Sequence, residues 1–594
     1  MKSRQFSTEF LIYILAFIIA LGMRLFQLGV APLSDIEAGW ALQALGLAHG
    51  EAAPLGAQPA YILLTSQFFT VFGDTNFLAR FLPALAGSLI VWLPYFFRDW
   101  MGDTHWLHRA GYIIAFGLAI DPGLVSLSRQ AGSLMPAMAF SLLALACLHN
   151  RYLLWTGFFA GLALLSGPAF LQGILILGTS WGVYRLASRN SLHTQFDVDT
   201  GQPSEEAIST RSIGVIIAAL VGTLLVVGTL FLRFPQGLGA LAETIPAFIN
   251  TWIEPSGIPV LRLPASLLVY QPLLLIFGII GAVHTWYGVN DQQDTRKWIM
   301  GLSIWTVVAL LLPLLYAGRQ VGDMAWALVP LWALTAIEIS RLLITSQEDM
   351  FTRLVAAGLG LLLFVLVVVS WINLLSIGRY QTNVVVYWAI IIGAFLLGLI
   401  AVLLVAAAWS TTAARLGLVW VLCVVLGLWL FSNTWRMTIE RKNGAQDLWP
   451  ILPTTGQADQ LILTLSDLSS WNTGLKDQLE IVALVDSPDK QWDALRWELR
   501  RYPNAHFKTS LSVGETPPVV ITRQGTELPG LVENYRGQDF IWRQYPGWQG
   551  IFPPNLINWL AFRQAPLSQD RIILWARGDI FPGGTLESSE NVVP

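Results

Sequence analysis

Up to about Ser432 the apolar residues of this chain come in long runs, cut by isolated charges. Each run is roughly 16–25 residues, which is what a helix needs to cross the hydrocarbon core of a bilayer. That pattern leaves little choice of fold class: the chain reads as a polytopic α-helical membrane protein. Composition agrees, because 54% of the 594 residues are hydrophobic and only 12% are charged. A soluble globular chain carries about 25% charged residues. Thirty-five basic residues against thirty-eight acidic ones leave a net charge of −3, so there is no electrostatic footprint for nucleic acid. The 26 Trp and 30 Phe residues exclude a solvated, disordered chain. Cys147 and Cys423 lie in separate apolar runs, which argues against a disulfide framework or a cysteine-based zinc site.

Reading apolar runs against charged punctuation gives about thirteen spans. They fall at 10–28, 79–97, 110–126, 131–149, 152–166, 168–185, 213–232, 266–288, 298–317, 324–343, 354–375, 384–408 and 415–434. The run Phe10–Leu28 is long enough to remain as an anchor instead of a cleaved signal. With a cytoplasmic N-terminus, Lys2, Arg4, Arg98, Arg109, Arg151, Arg185 and Arg189 all fall inside, together with Arg211, Arg296, Lys297, Arg341, Arg353 and Arg415. The outer loops hold fewer basic residues, which is the positive-inside bias. An odd number of spans then puts the tail outside the cell. The expected organisation is a transmembrane domain over 1–434, with long outer loops at about 29–78 and 233–264, and an extracytoplasmic soluble α/β domain over 435–594. The expected location is the cell membrane, with many passes.

Within the first long loop, Ala38–Ala48 and Tyr61–Phe72 are too short to span and read as helices at the membrane surface. The second is rich in proline and aromatic residues, and Ser188–Ser212 reads as a polar cytoplasmic connection. In the tail, Leu479–Val485 and Val519–Thr522 read as buried strands. Lys490–Arg501 between them has helical spacing at Trp492, Leu495 and Leu499.

Acids are scarce in the membrane half, so an outward-facing one is informative. The segment Pro32-Leu-Ser-Asp-Ile-Glu-Ala38 holds two, Asp35 and Glu37. Ser34 and Glu37 have capping-box spacing, and Asp35 sits in a first turn where the helix dipole favours an anion. Capping alone accounts for both acids. It is also compatible with a carboxylate held ionised at the outer surface as a base. Residues two apart on a helix face different ways, so the two acids are not expected to share a proton. Arg80, Arg129, Arg262 and Arg319 face outward against the charge bias. Snorkelling or pairing with Asp35, Asp121 or Asp323 explains them structurally. A phosphate clamp explains them functionally, since guanidinium matches phosphate geometry. His49 and His284 are lone histidines without metal-ligand spacing and read as structural.

These motifs, in this order, resemble the GT-C membrane glycosyltransferases, a group that includes protein O-mannosyltransferases and the aminoarabinose transferase of lipid A. The resemblance rests on Arg24-Leu-Phe-Gln-Leu-Gly29 and the Asp35/Glu37 segment, where the family places its catalytic acid. It continues through Gln58-Pro-Ala-Tyr61, Phe72-Gly73, Ala79-Arg80-Phe-Leu-Pro83, Arg98, Gly102, Ser128-Arg129, Tyr270-Gln-Pro272, and Arg319 with Pro330. It covers roughly residues 10–345. Four tail segments resemble a flippase-associated, family-39-like branch found in archaea and Chloroflexi-like bacteria: Trp492-Asp-Ala-Leu-Arg-Trp497, Pro517-Pro-Val-Val520, Tyr535-Arg-Gly-Gln-Asp-Phe540 and Ile573-Leu-Trp-Ala-Arg577. The chain departs from the family at three points. Its acids are split as Asp35-Ile-Glu37, Ser133 stands near the place of a second acid, and Gln58-Pro-Ala replaces a Lys-Pro-Pro type motif.

The resemblance implies a polyprenyl-phosphate-linked sugar as donor, bound from the outer leaflet among membrane lipid. The acceptor would be a protein, a lipid or a glycan. Asp35 is the expected base, with Glu37 second; Arg129 and Arg319 are expected at the donor phosphate, with Arg80 and Arg262 as further candidates and Tyr61 along the groove. Transfer is expected to invert the anomeric centre, because no second carboxylate is placed to form a covalent intermediate. No cofactor is called for, and a divalent cation is left open. The alternative is a non-catalytic membrane component that assists translocation or assembly of lipid-linked sugars.

Overall fold

The computed structural model describes residues 8–51, 55–101, 105–191, 210–287, 293–343, 349–380, 384–439, 446–449, 454–485, 492–512, 514–525 and 533–582. Lys2, Arg4, Gly102, most of the connection 188–212, and residues 490–491 of the expected tail helix lie outside them. This is a membrane protein. Seven described helices are long and apolar enough to cross a membrane: Thr8–Leu25, Asn76–Phe96, Arg296–Leu315, Val321–Leu342, Met350–Arg379, Val384–Ala408 and Thr411–Ile439. Two bent pairs make nine if each is one span, His108–Ile120 with Pro122–Ser128 at 49° and Arg262–Tyr270 with Pro272–Trp286 at 99°. The other four expected runs coincide with Leu134–His149, Leu153–Leu164, Pro168–Ser191 and Thr210–Val226. Two of these, with 16 and 12 residues, are shorter than a straight crossing requires.

The bends have a local cause. Pro122 and Pro272 each open the second helix of a pair, where a missing N–H costs nothing. The residue before each proline is pushed out of the helical region. Asp121 accordingly sits at φ −64°, ψ 125° and accepts from Leu124 N at 2.9 Å. Gln271 sits at φ −128°, ψ 46°.

Burial divides the helices into two kinds. In Val321–Leu342, 83% of the spanning window is buried, so this helix runs through the centre of the bundle. Met350–Arg379 and Val384–Ala408 have only 11% buried and are apolar on every face, as a helix surrounded by lipid would be.

The first long loop forms the helices Asp35–Ala48 and Pro59–Phe72, close to the expected stretches. The second contains an 18-residue helix, Gln236–Ile253, that the sequence reading did not anticipate, because Pro246 lies inside it.

The tail folds into a six-stranded mixed sheet: β1 (Thr454–Thr455), β2 (Ile481–Leu484), β3 (Ala505–Lys508), β4 (Val519–Arg523), β5 (Tyr535–Pro546) and β6 (Leu567–Arg577), in the order β1-β5-β6-β4-β2-β3. β2 runs parallel to β3 and β4, with Ile481 opposite Val519. β6 is antiparallel to both β4 and β5, and these are the pairings the sequence reading missed. The expected buried strands are β2 and β4. The hairpin strands β5 and β6 escaped notice because half of each faces solvent, with Ile572, Leu574 and Ala576 buried on alternate positions.

The sheet unit is fused to the membrane part. Leu33, Ala38, Ala41 and Ala44 share one buried cluster with Leu461, Ile481, Leu495 and Val519. Trp497 is completely buried, donates to Asn76 Oδ1 at 2.7 Å, and packs 5.7 Å from the Phe69 ring. Trp497→Ala is expected to cost about 3–5 kcal/mol, as large-to-small changes of buried aromatics do. Thermal unfolding in detergent would read the loss; an unchanged Tm would mean that the indole does not join the two units.

Candidate active site

Two acids on one helix start end up with unrelated partners. Ser34 caps the helix Asp35–Ala48 by a complete capping box, in which Ser34 N reaches Glu37 Oε2 at 3.0 Å. Glu37 then does more than cap. Its Oε1 accepts from Arg80 Nε at 2.8 Å and Ala131 N at 2.9 Å, and its Oε2 accepts from Arg80 Nη2 at 2.8 Å and Ser34 Oγ at 3.1 Å. Arg80 spends its remaining donors on the carbonyls of Ala31 (2.6 Å) and Pro32 (2.8 Å). The pair is nearly sealed, with side chains 1% and 4% exposed. It pins the turn, the helix start and the Ala131 loop together.

Asp35 faces the sheet unit. Its Oδ2 accepts from Arg543 Nε at 2.8 Å, and its Oδ1 accepts from Ala494 N at 3.1 Å. The second contact has a clear reason. The helix Asp493–Leu499 starts at Trp492, whose side chain makes no capping hydrogen bond. Asp35 supplies an acceptor for that helix end from another part of the chain. Gly39, one turn on, permits the approach, because a Cβ there would lie 2.7 Å from Asp493 Oδ2. Burial pushes the Asp35 carboxyl above the usual carboxylate range, and the Arg543 guanidinium offsets part of that rise.

Three further arginines divide less cleanly, because Arg129 Nε, like Arg262 and Arg319, is buried without a partner among the described residues. Arg129 donates to the carbonyls of Met23 (3.2 Å), Arg24 (2.9 Å), Phe26 (2.7 Å), Gln27 (3.3 Å) and Thr438 (3.0 Å), capping the end of the first helix. Arg262 is 5% exposed and lies 5.3 Å from the Trp548 ring, while its Nε and Nη2 carry no hydrogen bond within the described residues. Arg319 donates through Nη1 to Ile258 O at 3.2 Å and leaves a buried Nε without a partner among the described residues. Tyr61 is fully buried, and its hydroxyl donates to Ala79 O at 2.6 Å.

A cavity of about 310 Å³ opens beside these elements. Its walls include Trp40, Gln58, Ser133, Gln172, Trp252 and Asp323. None of Asp35, Glu37, Arg80, Arg129, Arg262, Arg319 and Tyr61 lines it. Some of them adjoin it in sequence: Trp40 is on the helix that Asp35 begins, and Gly318 and Gln320 on the wall flank Arg319. The helix Arg262–Tyr270 packs against Val321–Met324, which carries Asp323. Asp323 accepts from the Tyr316 hydroxyl and from Gln320 N (2.8 Å), and Gln172 Nε2 donates to Tyr316 at 2.9 Å. The sequence reading had named Asp323 only as a salt-bridge partner. Gln58 and Ser133, two of the departures from the family pattern, both lie on the wall.

His284 has an acidic partner after all, with Nδ1 2.8 Å from Glu338 Oε1, at a sequence distance no motif spans. Among the described residues no three His, Cys, Asp or Glu side chains come together to hold a metal ion.

Among solved structures, the chain is similar to ArnT from Cupriavidus metallidurans bound to undecaprenyl phosphate, with a TM-score of 0.49 and 14% identity over 95% of this chain and 97% of that one. The same protein in the apo state gives 0.47 and 14% over 94% and 96%. The oligosaccharyltransferase of Archaeoglobus fulgidus, in complex with Zn and sulfate, gives 0.38 and 12% over 86% and 68%. No family model matches the sequence, and no curated protein matches it.

Two outcomes follow from the ion pairs. Arg80→Leu is expected to cost about 3–5 kcal/mol, because it leaves the Glu37 carboxylate buried without its cation. A Tm in detergent within 1–2 °C of wild type, taken as about 1 kcal/mol or less, would remove the pair from its central place. Arg543→Gln removes the group that holds the Asp35 pKa down. The folded carboxyl then rises further above its unfolded value of about 3.9, so the folded state binds more protons in between and stability falls as pH rises through that window. The variant should therefore match wild type near pH 4 and lag by about 1–3 kcal/mol at pH 7, less than for a wholly buried pair. A pH-independent difference in Tm would show that Arg543 acts by packing alone.

Proposed function

We propose that the chain is a GT-C-type membrane glycosyltransferase that moves a sugar from a polyprenyl-phosphate donor to an acceptor hydroxyl, on the side of the membrane that carries the sheet unit. We take that side to be extracytoplasmic, with the N-terminus in the cytoplasm, and we take 1–434 and 435–594 as the two domains. The observation that carries the reading is a polar and aromatic cavity whose wall includes Trp40 of the Asp35 helix and Gly318 and Gln320 on either side of Arg319 in sequence, together with Arg262 and Arg319 N–H groups that no described residue satisfies. Buried donors of this kind suit a phosphate.

In this scheme the acceptor hydroxyl attacks the anomeric carbon, the bond from that carbon to the phosphate oxygen breaks, and the phosphate leaves with the electron pair. Arg319 and Arg262 stabilise the charge that develops on it. Asp35 takes the hydroxyl proton. A carboxylate has about four lone-pair sites, and two are in use here. Arg543 favours its ionised form. Glu37, saturated by Arg80, Ser34 and Ala131, positions the helix start; Arg129 holds the end of the first helix, and Tyr61 supports the inner wall. Attack opposite the leaving phosphate inverts the anomeric centre. The sugar and the acceptor are those the chemistry requires: a lipid-linked glycosyl phosphate and a hydroxyl-bearing protein, lipid or glycan.

One observation favours a second reading, a non-catalytic partner in handling lipid-linked sugars. Asp35 is engaged on both oxygens by the sheet unit. Membranes containing matched amounts of wild type, Asp35→Asn and Glu37→Gln, supplied with labelled polyprenyl-phosphate sugars, separate the two. Transfer by wild type with a loss of at least 100-fold in Asp35→Asn, on a folded protein, supports the enzyme, in line with general-base contributions of about 10²–10⁴. Donor left unconsumed by wild type, or equal transfer by both acid variants, favours the non-catalytic reading.

A further inference from the structure

The cavity wall has a chemical character of its own. Its aromatic surfaces are Trp40, Phe248, Trp252 and Tyr316, with the Trp252 and Tyr316 rings 5.3 Å apart. Gly56 lets the Trp40 indole lie where it does, since a Cβ on that glycine would come 2.4 Å from the ring. The polar atoms on the wall are mainly amides and hydroxyls. Two of them, Gln58 Oε1 and the Ser133 hydroxyl, are buried without a hydrogen bond among the described residues, and Ser133 is only 2% exposed. A buried polar atom in that state calls for a partner. Flat aromatic faces beside amides and hydroxyls match a pyranose, which offers apolar C–H faces for the rings and hydroxyl groups for the polar atoms. The volume is enough for a sugar ring.

Charge narrows the class further. Among the described residues, Asp323 is the only formally charged side chain on the wall, and no cation lines it. A phosphate, sulfate or uronate there would meet a carboxylate and no counter-charge, which is unfavourable even in a half-open site. A cationic amino sugar would compete with the Tyr316 hydroxyl and Gln320 N for the Asp323 oxygen they already occupy. The lysine-type motif that the family resemblance would place at Gln58 is absent from the sequence, and Gln58 leaves that part of the wall neutral.

We infer that this cavity is the subsite for one uncharged pyranose ring, stacked between Trp40 and Trp252 and read by Gln58, Ser133, Gln172 and Asp323, with any phosphate lying outside it toward Arg319. The inference rests on the glycosyltransferase reading for its place in a reaction, but it concerns binding and can be tested without turnover.

The test is saturation-transfer NMR on the purified full-length chain in detergent, with methyl mannoside and methyl glucoside as neutral probes, methyl glucuronide as the anionic one and methyl glucosaminide as the cationic one. A neutral glycoside should bind at least 10-fold more tightly than either charged probe. Trp252→Ala and, as a milder change, Gln172→Leu should each weaken it by about 10-fold while Tm stays near wild type. Gln58→Lys should bring glucuronide binding up toward the neutral level. Binding of a charged probe as tight as the neutral ones, no binding of any glycoside, or indifference to both wall variants overturns the inference. Its fate separates from that of the enzyme. Neutral glycosides that bind a chain consuming no donor would sink the transferase reading and keep the subsite. Transfer of an acidic or amino sugar would do the opposite.

Discussion

The arrangement of this molecule depends on the buried pair between Glu37 and Arg80. A carboxylate and a guanidinium sealed from solvent are tolerable only if nearly every donor and acceptor is satisfied. Here that condition is met by bringing four pieces of chain to one point: the turn at Leu28–Pro32, the helix start at Ser34, the helix Asn76–Leu89, and the loop at Ala131. Two further arginines follow the same logic. Arg129 closes the carbonyl end of the first helix, and Arg24 reaches the carbonyls of Leu118 (3.0 Å) and Ala119 (3.0 Å) across the bend at Asp121. The end of the bundle that bears the sheet is thus knit by cations spent on backbone oxygens, and the cavity sits within that rigid frame.

Around the frame, the arginines differ in how far their donors are satisfied. Arg80 spends its donors on Glu37 and on carbonyls, whereas Arg129, Arg262 and Arg319 each keep a buried N–H that no described residue accepts, the last two on elements beside the wall. The wall itself holds one carboxylate and otherwise neutral polar groups. The sheet unit takes part through Asp35, which serves both as an acceptor for a helix end in the tail and as the ion-pair partner of Arg543.

Much of this was legible from local pattern. The apolar runs coincide with helices or bent helix pairs because length and composition decide that a segment is helical in lipid, with no help from distant residues. Ser34 and Glu37 are three residues apart, so their capping box is a local property and stands as read. Gln236–Ile253 escaped because proline in a loop reads as a breaker, yet Pro246 is accommodated inside the helix. The β5–β6 hairpin escaped because a half-solvated strand carries too few apolar residues to stand out in a chain this hydrophobic.

The sequence by itself determined the fold class, the order of the helices, the capped start of the Asp35 helix and the tail strands β2 and β4, all of which depend on residues within a few positions of one another. Only the tertiary structure decided what each acid does. Glu37 finds Arg80 at a separation of 43 residues, and Asp35 finds Arg543 at 508. The cavity is likewise assembled from Trp40, Ser133, Gln172, Trp252 and Asp323, which no spacing links. Helix and cap follow from local geometry, whereas an ion pair or a cavity wall exists only once packing has set which side chains share a low-dielectric space.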